Sequence, residues 1–286
     1  MRRTLPQDAL AAPLEEASSL DAVAEPLQTL VRRVVPETSL AKELVGGTWL
    51  GHPLHPVLTD VVVGTWTSAA VLDLLGGARR RAADDLVGIG VLAALPTALS
   101  GLADWAELKD GERRVGTVHA LGNIAAVALQ ATSWGLRRRE HRASAFALSS
   151  LAMTLSAGSA WLGGHLSFGR GVGVDQTAFE SLPSTWTSVI DDQRLSEGEL
   201  VRRSAHGTGV LLVRHAGRVH ALVDRCSHRG CSLSDGSFDG AAITCSCHGS
   251  RFDLDGRLMR GPATASQPTL DTRVRDGRIE VRGRAR

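Results

Sequence analysis

The chain has 286 residues, with 32 basic and 30 acidic side chains and a formal net charge of +2, which leaves room for two ordinary domains. So small a net charge, with no basic tract interleaved with aromatics, argues against a nucleic-acid partner. Mean hydropathy near zero hides two unlike halves: Ala/Leu/Val/Gly stretches fill residues 57–164, and charged, alternating patterns fill 186–286.

Arg2 and Arg3 precede a polar, Pro-broken segment with no apolar core, so no cleavable signal peptide is expected. Within the tail, residues 1–45, Leu20, Val23, Leu27, Leu30, Val31 and Val34 share one helical face. A helix lying on a surface and a loose amphipathic tail both fit that spacing. Lys42 and Lys109 are the only lysines, and the arginine excess reads as the codon bias of a GC-rich bacterium.

Residues 46–165 contain four weakly polar segments, near Val57–Leu75, Leu86–Leu102, Val115–Leu136 and Ala143–Gly163. Each is roughly the 20 residues needed to cross a bilayer. Their many Gly, Ala, Ser and Thr residues suit helices that approach closely in lipid. A soluble bundle needs a charged outer face on each helix, and these segments have none. They predict an all-α transmembrane four-helix bundle, multi-pass in a bacterial cell membrane. Arg79–Arg81 follow the first segment, and Arg137–Arg139 and Arg142 follow the third. By the positive-inside rule these loops are cytoplasmic and both termini lie outside. The run Arg137–Arg139 also fits a twin-arginine export signal.

In an up-and-down bundle one end collects His52, His55, Asp60, Asp104, His119 and His165. Ionisable groups near a bilayer are costly, which points to function. Three readings fit: ligands to a haem or other metal, a quinol site, or residues capping helix ends. Residues 166–185, with Gly169, Gly171, Gly173 and Pro183, predict a mobile linker.

Residues 186–286 alternate as strands do, with hairpin signals at Ala216-Gly217 and Asp276-Gly277. All four cysteines lie between 226 and 247. Cys226-Ser-His228 and Cys245-Ser-Cys247-His248 are separated by sixteen residues. Two thiolates suit one iron of a [2Fe–2S] core, and two neutral imidazoles suit the other. Gly230 and Gly249 let the backbone approach inorganic sulfide. A structural Cys₂His₂ zinc site is the alternative, although the usual zinc spacings differ.

On these motifs, residues 186–283 resemble the Rieske family, and Gly261-Pro262-Ala263 resembles its proline loop. The resemblance implies an all-β domain with Cys226, His228, Cys245 and His248 as cluster ligands. Cys231 and Cys247 match the disulfide of the high-potential, cytochrome bc-type members, a bond that persists outside the cytosol. Ser250 matches a serine that donates to a bridging sulfide. Phe252 stands where those proteins commonly carry a tyrosine, and this chain has no tyrosine at all. The remaining residues of the chain resemble, over about 45–180, an uncharacterised family of bacterial four-helix membrane proteins.

The expected protein is therefore multi-domain: a transmembrane helical bundle followed by a Rieske domain of the iron–sulfur-protein type. It is expected to carry single electrons between quinol or haem and an acceptor, with the Rieske domain extracytoplasmic. Delivery of electrons to an oxygenase is the competing reading. A self-contained oxygenase is not expected, because the 38 residues after His248 contain no histidine for a second iron site.

Overall fold

A computed structural model describes residues 6–36 and 39–284, and the chain divides into two compact units. Residues 1–5 and 37–38 of the expected tail, and the last two of the β domain, lie outside the described residues. The helical unit gathers the residues up to Val35 with Pro53–Val172, and the β unit joins Pro36–His52 to Gly173–Arg286.

In the helical unit α1 (Pro6–Glu16) and α2 (Asp21–Val34) precede four long helices. The chain passes through α3 (Leu40–Gly46), which belongs to the β unit, before entering α4 (Leu54–Leu75). There follow α5 (Arg80–Trp105), α6 (Asp110–Arg138) and α7 (Arg142–Gly164). Each long helix packs on the next, and α7 packs back on α4. Three of the four, α4, α5 and α7, are long and apolar enough to cross a membrane. By the same measure α6 falls short, because His119, Asn123 and Gln130 interrupt its apolar run.

Beside small apolar cores, this unit shows large apolar side chains outside and polar ones inside. Leu92, Leu95, Leu99, Leu121, Ile124 and Leu151 are exposed, whereas Gln130, Ser133, Arg137 and Ser149 are buried. In lipid, outward apolar groups cost nothing, and inward polar groups must be satisfied within the protein. Glycine permits the close approach: the Trp66 indole lies on Gly90 and that of Trp134 on Gly88, where a Cβ would fall at 2.2 and 2.6 Å.

The buried polar groups form one network. Arg137, 2% exposed, reaches Asp73 of α4 at 2.8 Å and Asp84 of α5 at 3.2 Å. Its guanidinium also meets Ser133 and Ser149, and Ser149 donates to Gln130 at 2.9 Å. Arg142 gives Asp84 a second partner at 2.6 Å. Two of the arginines counted toward the cytoplasmic charge are therefore neutralised inside the unit.

The N-terminal helices dock through polar contacts. Gln28 donates to the carbonyls of Trp105 and Leu108 at 3.1 and 3.0 Å, and Arg32 donates to that of Ala106. Hydrogen bonds from Arg114, with Arg113 beside it, bring the Asp21 carboxyl down to about 2 against the effect of burial. Ala24 and Gln28 of α2 face inward, while Val23, Leu27, Leu30 and Val34 face out.

The β unit contains β1 (Thr187–Asp191), β2 (Leu200–Ala205), β3 (Thr208–His215), β4 (Arg218–Val223), β5 (Ser237–Phe238), β6 (Ala242–Thr244), β7 (Arg251–Asp253), β8 (Leu258–Arg260), β9 (Thr269–Arg275) and β10 (Arg278–Gly283). Six of them form an antiparallel sheet in the order β1-β10-β9-β4-β3-β2, and β5-β6-β7-β8 form a smaller one. Both expected hairpins are present, each with two positive-φ residues at its turn (Ala216-Gly217, Asp276-Gly277), and His206-Gly207 makes a third. Two successive positive φ values define the type I′ turn, whose twist matches that of the strands.

The run Val210–Val213 is apolar at every position because β3 is covered on both faces. Val210 and Leu212 enter one core with Ile279 and Val281, while Leu211 and Val213 enter a second with Cys226, Cys245 and Phe252. Residues 173–185, expected as linker, lie along this unit: Gln176 N–H donates to Ser227 O at 2.9 Å and Gly283 N–H to Pro183 O at 2.7 Å. The Pro36–His52 segment packs here too, with Thr48 Oγ1 only 2.5 Å from where a Cβ on Gly261 would lie.

Replacing Arg137 with Met leaves Asp73 inside the helical unit without the guanidinium that pairs it, and leaves Asp84 to Arg142 alone. Removing one member of a buried ion network costs roughly 3–5 kcal/mol. Thermal unfolding in detergent is expected to show that loss, and a melting curve equal to wild type would mean that the carboxylates take up water or protons at little cost.

Candidate metal centre

The two sequence motifs fold into two loops of the same construction. In the first, Cys226 N–H donates to Cys231 O at 2.8 Å and Gly230 N–H to Cys226 O at 2.9 Å. In the second, Cys245 N–H donates to Ser250 O at 2.9 Å and Gly249 N–H to Cys245 O at 3.0 Å. In both, the glycine four residues after the leading cysteine has a positive φ, +74° at Gly230 and +78° at Gly249. That conformation favours glycine, which is what lets each loop close so tightly.

A disulfide between Cys231 and Cys247, with Cα atoms 6.5 Å apart, ties the loops together. Cys245 lies close to both of its sulfurs, but these are spent on each other, which leaves Cys226 and Cys245 as the thiol donors. Both are buried and share a hydrogen bond, which together with burial pushes the Cys226 thiol up; the same bond holds Cys245 down, against burial. On the neighbouring side the His228 and His248 rings stand 5.0 Å apart, nearly perpendicular. His248 is buried and His228 half-buried. Two adjacent sulfurs beside two adjacent imidazoles is the donor set a mixed-ligand [2Fe–2S] core needs, and it departs from four ligands around one zinc ion.

Several residues that hold these loops carry no sequence signal. Gln267, buried, donates to the carbonyls of Val223 and Arg225 at 2.7 Å each and accepts from Ser227 N–H at 3.1 Å. Asp224, also buried, accepts from Ser232 Oγ at 2.6 Å and from Ser234 N–H at 2.9 Å. Arg260 donates to Gly249 O at 3.2 Å. Ordinary polar residues become legible only when the loop they span is known. Ser250 is fully buried, and its Oγ accepts from Ala263 N–H at 3.0 Å, which leaves the hydroxyl proton available to another acceptor. Phe252 is fully buried in the core that contains Cys226 and Cys245, and Pro262 follows Gly261 through a cis peptide.

The six membrane-domain candidates do not form one cluster. His55 and His119 face each other with ring centres 6.2 Å apart. His165 binds Glu15 of α1 at 2.8 Å, and Arg170 shares that carboxylate. Burial works against the Glu15 charge, but hydrogen bonds from Arg170 and His165 hold its carboxyl below the usual range. Asp60 is exposed on α4, and Asp104 is half-buried near the end of α5. His52 belongs to the β unit.

Comparison with known proteins agrees with this division. The model of the Rieske [2Fe–2S] domain matches residues 185–271, and that of a predicted membrane protein family, DUF2231, matches residues 51–176. The ferredoxin component of the naphthalene 1,2-dioxygenase system of Pseudomonas aeruginosa is 26% identical over 97 residues, 34% of this chain and 93% of that protein. Ferredoxin CarAc of Metapseudomonas resinovorans is 30% identical over 34% of this chain and 94% of its own length. The cytochrome b6-f complex iron–sulfur subunit of Chlorobaculum tepidum is 34% identical over 25% of this chain and 39% of its own length.

Two substitutions probe the hydrogen bonds around the sulfurs. Phe252→Tyr is expected to raise the midpoint potential, because an O–H donor toward sulfur stabilises the more negative reduced state. Ser250→Ala is expected to lower it. Potentiometric titration followed by EPR checks both, and two unchanged midpoints would show that neither side chain addresses the sulfurs.

Proposed function

With the chain a member of the Rieske [2Fe–2S] family through its C-terminal unit, we propose that it draws single electrons from quinol in the membrane and passes them to an acceptor on the outer side. It is a membrane-anchored iron–sulfur protein and a one-electron carrier. In the proposed arrangement Cys226 and Cys245 hold one iron as thiolates, and His228 and His248 hold the other as neutral imidazoles. The bound cluster supplies reversible one-electron chemistry with a potential raised by its imidazole ligands. The protein keeps the sulfurs dry, fixes both rings, and leaves His228 half-exposed, so a proton can reach its outer nitrogen as the charge on the site grows more negative.

One observation carries this reading: the bond between Cys231 and Cys247. It joins the two ligand loops as in the quinol-linked members that the sequence resembles, and such bonds persist outside the reducing cytosol. The orientation read from Arg79–Arg81, Arg138 and Arg139 points the same way and uses none of the same residues. All four long helices span the bilayer in this reading, with the polar positions of α6 turned inward and Leu121 and Ile124 outward. The outward residues of α2 then rest on the lipid surface. Similarity to the dioxygenase ferredoxin along 93% of its length supports the second reading, delivery of electrons to an oxygenase.

In sealed vesicles, added quinol is expected to reduce the cluster, giving the rhombic EPR signal of a mixed-ligand centre, and His228→Ala is expected to abolish that signal. Reduction by a ferredoxin reductase with none by quinol would favour the oxygenase reading. In intact cells, protease added outside is expected to release the β unit. Release only after lysis would reverse the orientation.

A further inference from the structure

His55 and His119 come from helices that do not neighbour each other: α4 packs on α5 and α7, and α6 packs on the same two, so α4 and α6 stand diagonally opposed. Their imidazoles meet across that diagonal, ring centres 6.2 Å apart at 78°. Each ring is held by the same device. His55 Nδ1 lies 2.9 Å from Thr97 O on α5, and His119 Nδ1 lies 2.6 Å from Ser159 O on α7. Four residues after each of those carbonyls comes a glycine, Gly101 or Gly163, against which the ring rests. A Cβ would fall 2.7 Å from His55 Cε1 and 3.1 Å from His119 Cε1. Two helical hairpins thus each present one imidazole, seated on one carbonyl and one glycine.

The seats fix the chemistry. A carbonyl only accepts, so each Nδ1 carries the ring proton and each Nε2 keeps its lone pair. An amide nitrogen only donates, so the Asn123 Nδ2 contact with His119 Nε2 at 3.1 Å requires the same tautomer. Both Nε2 atoms are then acceptors, and the two rings cannot hydrogen-bond each other through them. A histidine that donates through one ring nitrogen to a carbonyl and offers the other as a lone pair is the usual state of a metal ligand. Metal–imidazole bonds of about 2.0–2.1 Å on opposite sides of one ion would set the ring centres roughly 6.3 Å apart.

We propose that His55 and His119 ligate a transition-metal centre within the helical unit, either the iron of a haem or a single ion. Its metal–ligand bonds run to the two Nε2 atoms, the Asn123 amide giving way at His119. This site is separate from the cluster and does not depend on quinol as the donor.

The test uses the full chain purified from membranes in mild detergent, with total metal, pyridine haemochrome and the cluster EPR signal measured on the same sample. One metal per chain beyond the two cluster irons is expected. A haemochrome band identifies haem, and extra metal without that band identifies a bare ion. His55→Ala and His119→Ala are each expected to lower the extra metal at least tenfold while the cluster signal stays at wild-type intensity, which shows that the chain has folded. Millimolar imidazole is expected to restore binding to His55→Ala by filling the vacated ligand position. Wild-type protein that takes up only cluster iron, even after incubation with haemin, copper and zinc salts, would overturn the proposal. So would extra metal retained by both variants.

Discussion

A mixed-ligand cluster needs two cysteines and two histidines from two separate loops to meet at a few ångströms, and the Cys231–Cys247 bond is the link that holds those loops together. Each loop closes on itself through the same pair of backbone hydrogen bonds, so the disulfide joins two preformed pieces. The wall behind them is β3 with β4, buried on both faces, so the core under the cysteines is continuous with the sheet. Asp224 and Gln267 then supply hydrogen bonds where the first loop leaves that wall. Side chains with large desolvation costs are affordable here because each buried polar atom named above has a partner at hydrogen-bonding distance.

The helical unit answers the same demand under the opposite solvent. Its outward residues are apolar, so no hydrophobic force draws the helices together in lipid; small residues and internal polar contacts must do so. Arg137 is the clearest instance, joining α6 to α4 and α5 and, through Ser149, to α7. The imidazoles of His55 and His119 repeat the principle toward the other end, each leaning on a neighbouring helix carbonyl. Glycine recurs at these contacts for a geometric reason: an indole or an imidazole lies where a Cβ would otherwise be.

Much of this was legible in the residue order, because it depends on local chemistry. Cysteine and histidine spacing marked both ligand loops; Ala216-Gly217 and Asp276-Gly277 marked their hairpins; long runs of apolar and small residues marked the helices. What escaped was set by partners remote in sequence. The apolar stripe of α2 suggested a surface-lying helix or a loose tail but not what holds it in place; Gln28 and Arg32 do the docking, because the carbonyls ending α5 need donors. Residues 166–185 read as a free tether from their glycines, but Thr177 is fully buried and Pro183 bonds Gly283, so residues 173–185 belong to the β unit. The third hairpin, at His206-Gly207, was hidden because β2 before it, Leu200–Ala205, carries Arg202, Arg203 and Ser204 in place of an apolar run.

The sequence by itself determined the two unlike units, the cluster-type donor set and the candidate membrane histidines, since residue type and spacing carry those directly. Tertiary structure alone decided which of six ionisable groups meet. It paired His55 with His119, gave His165 to Glu15, and assigned His52 to the β unit. The physical reason is that sequence places a residue on a helix and at a height, whereas the partner of its side chain depends on how neighbouring helices rotate and where glycine lets them close.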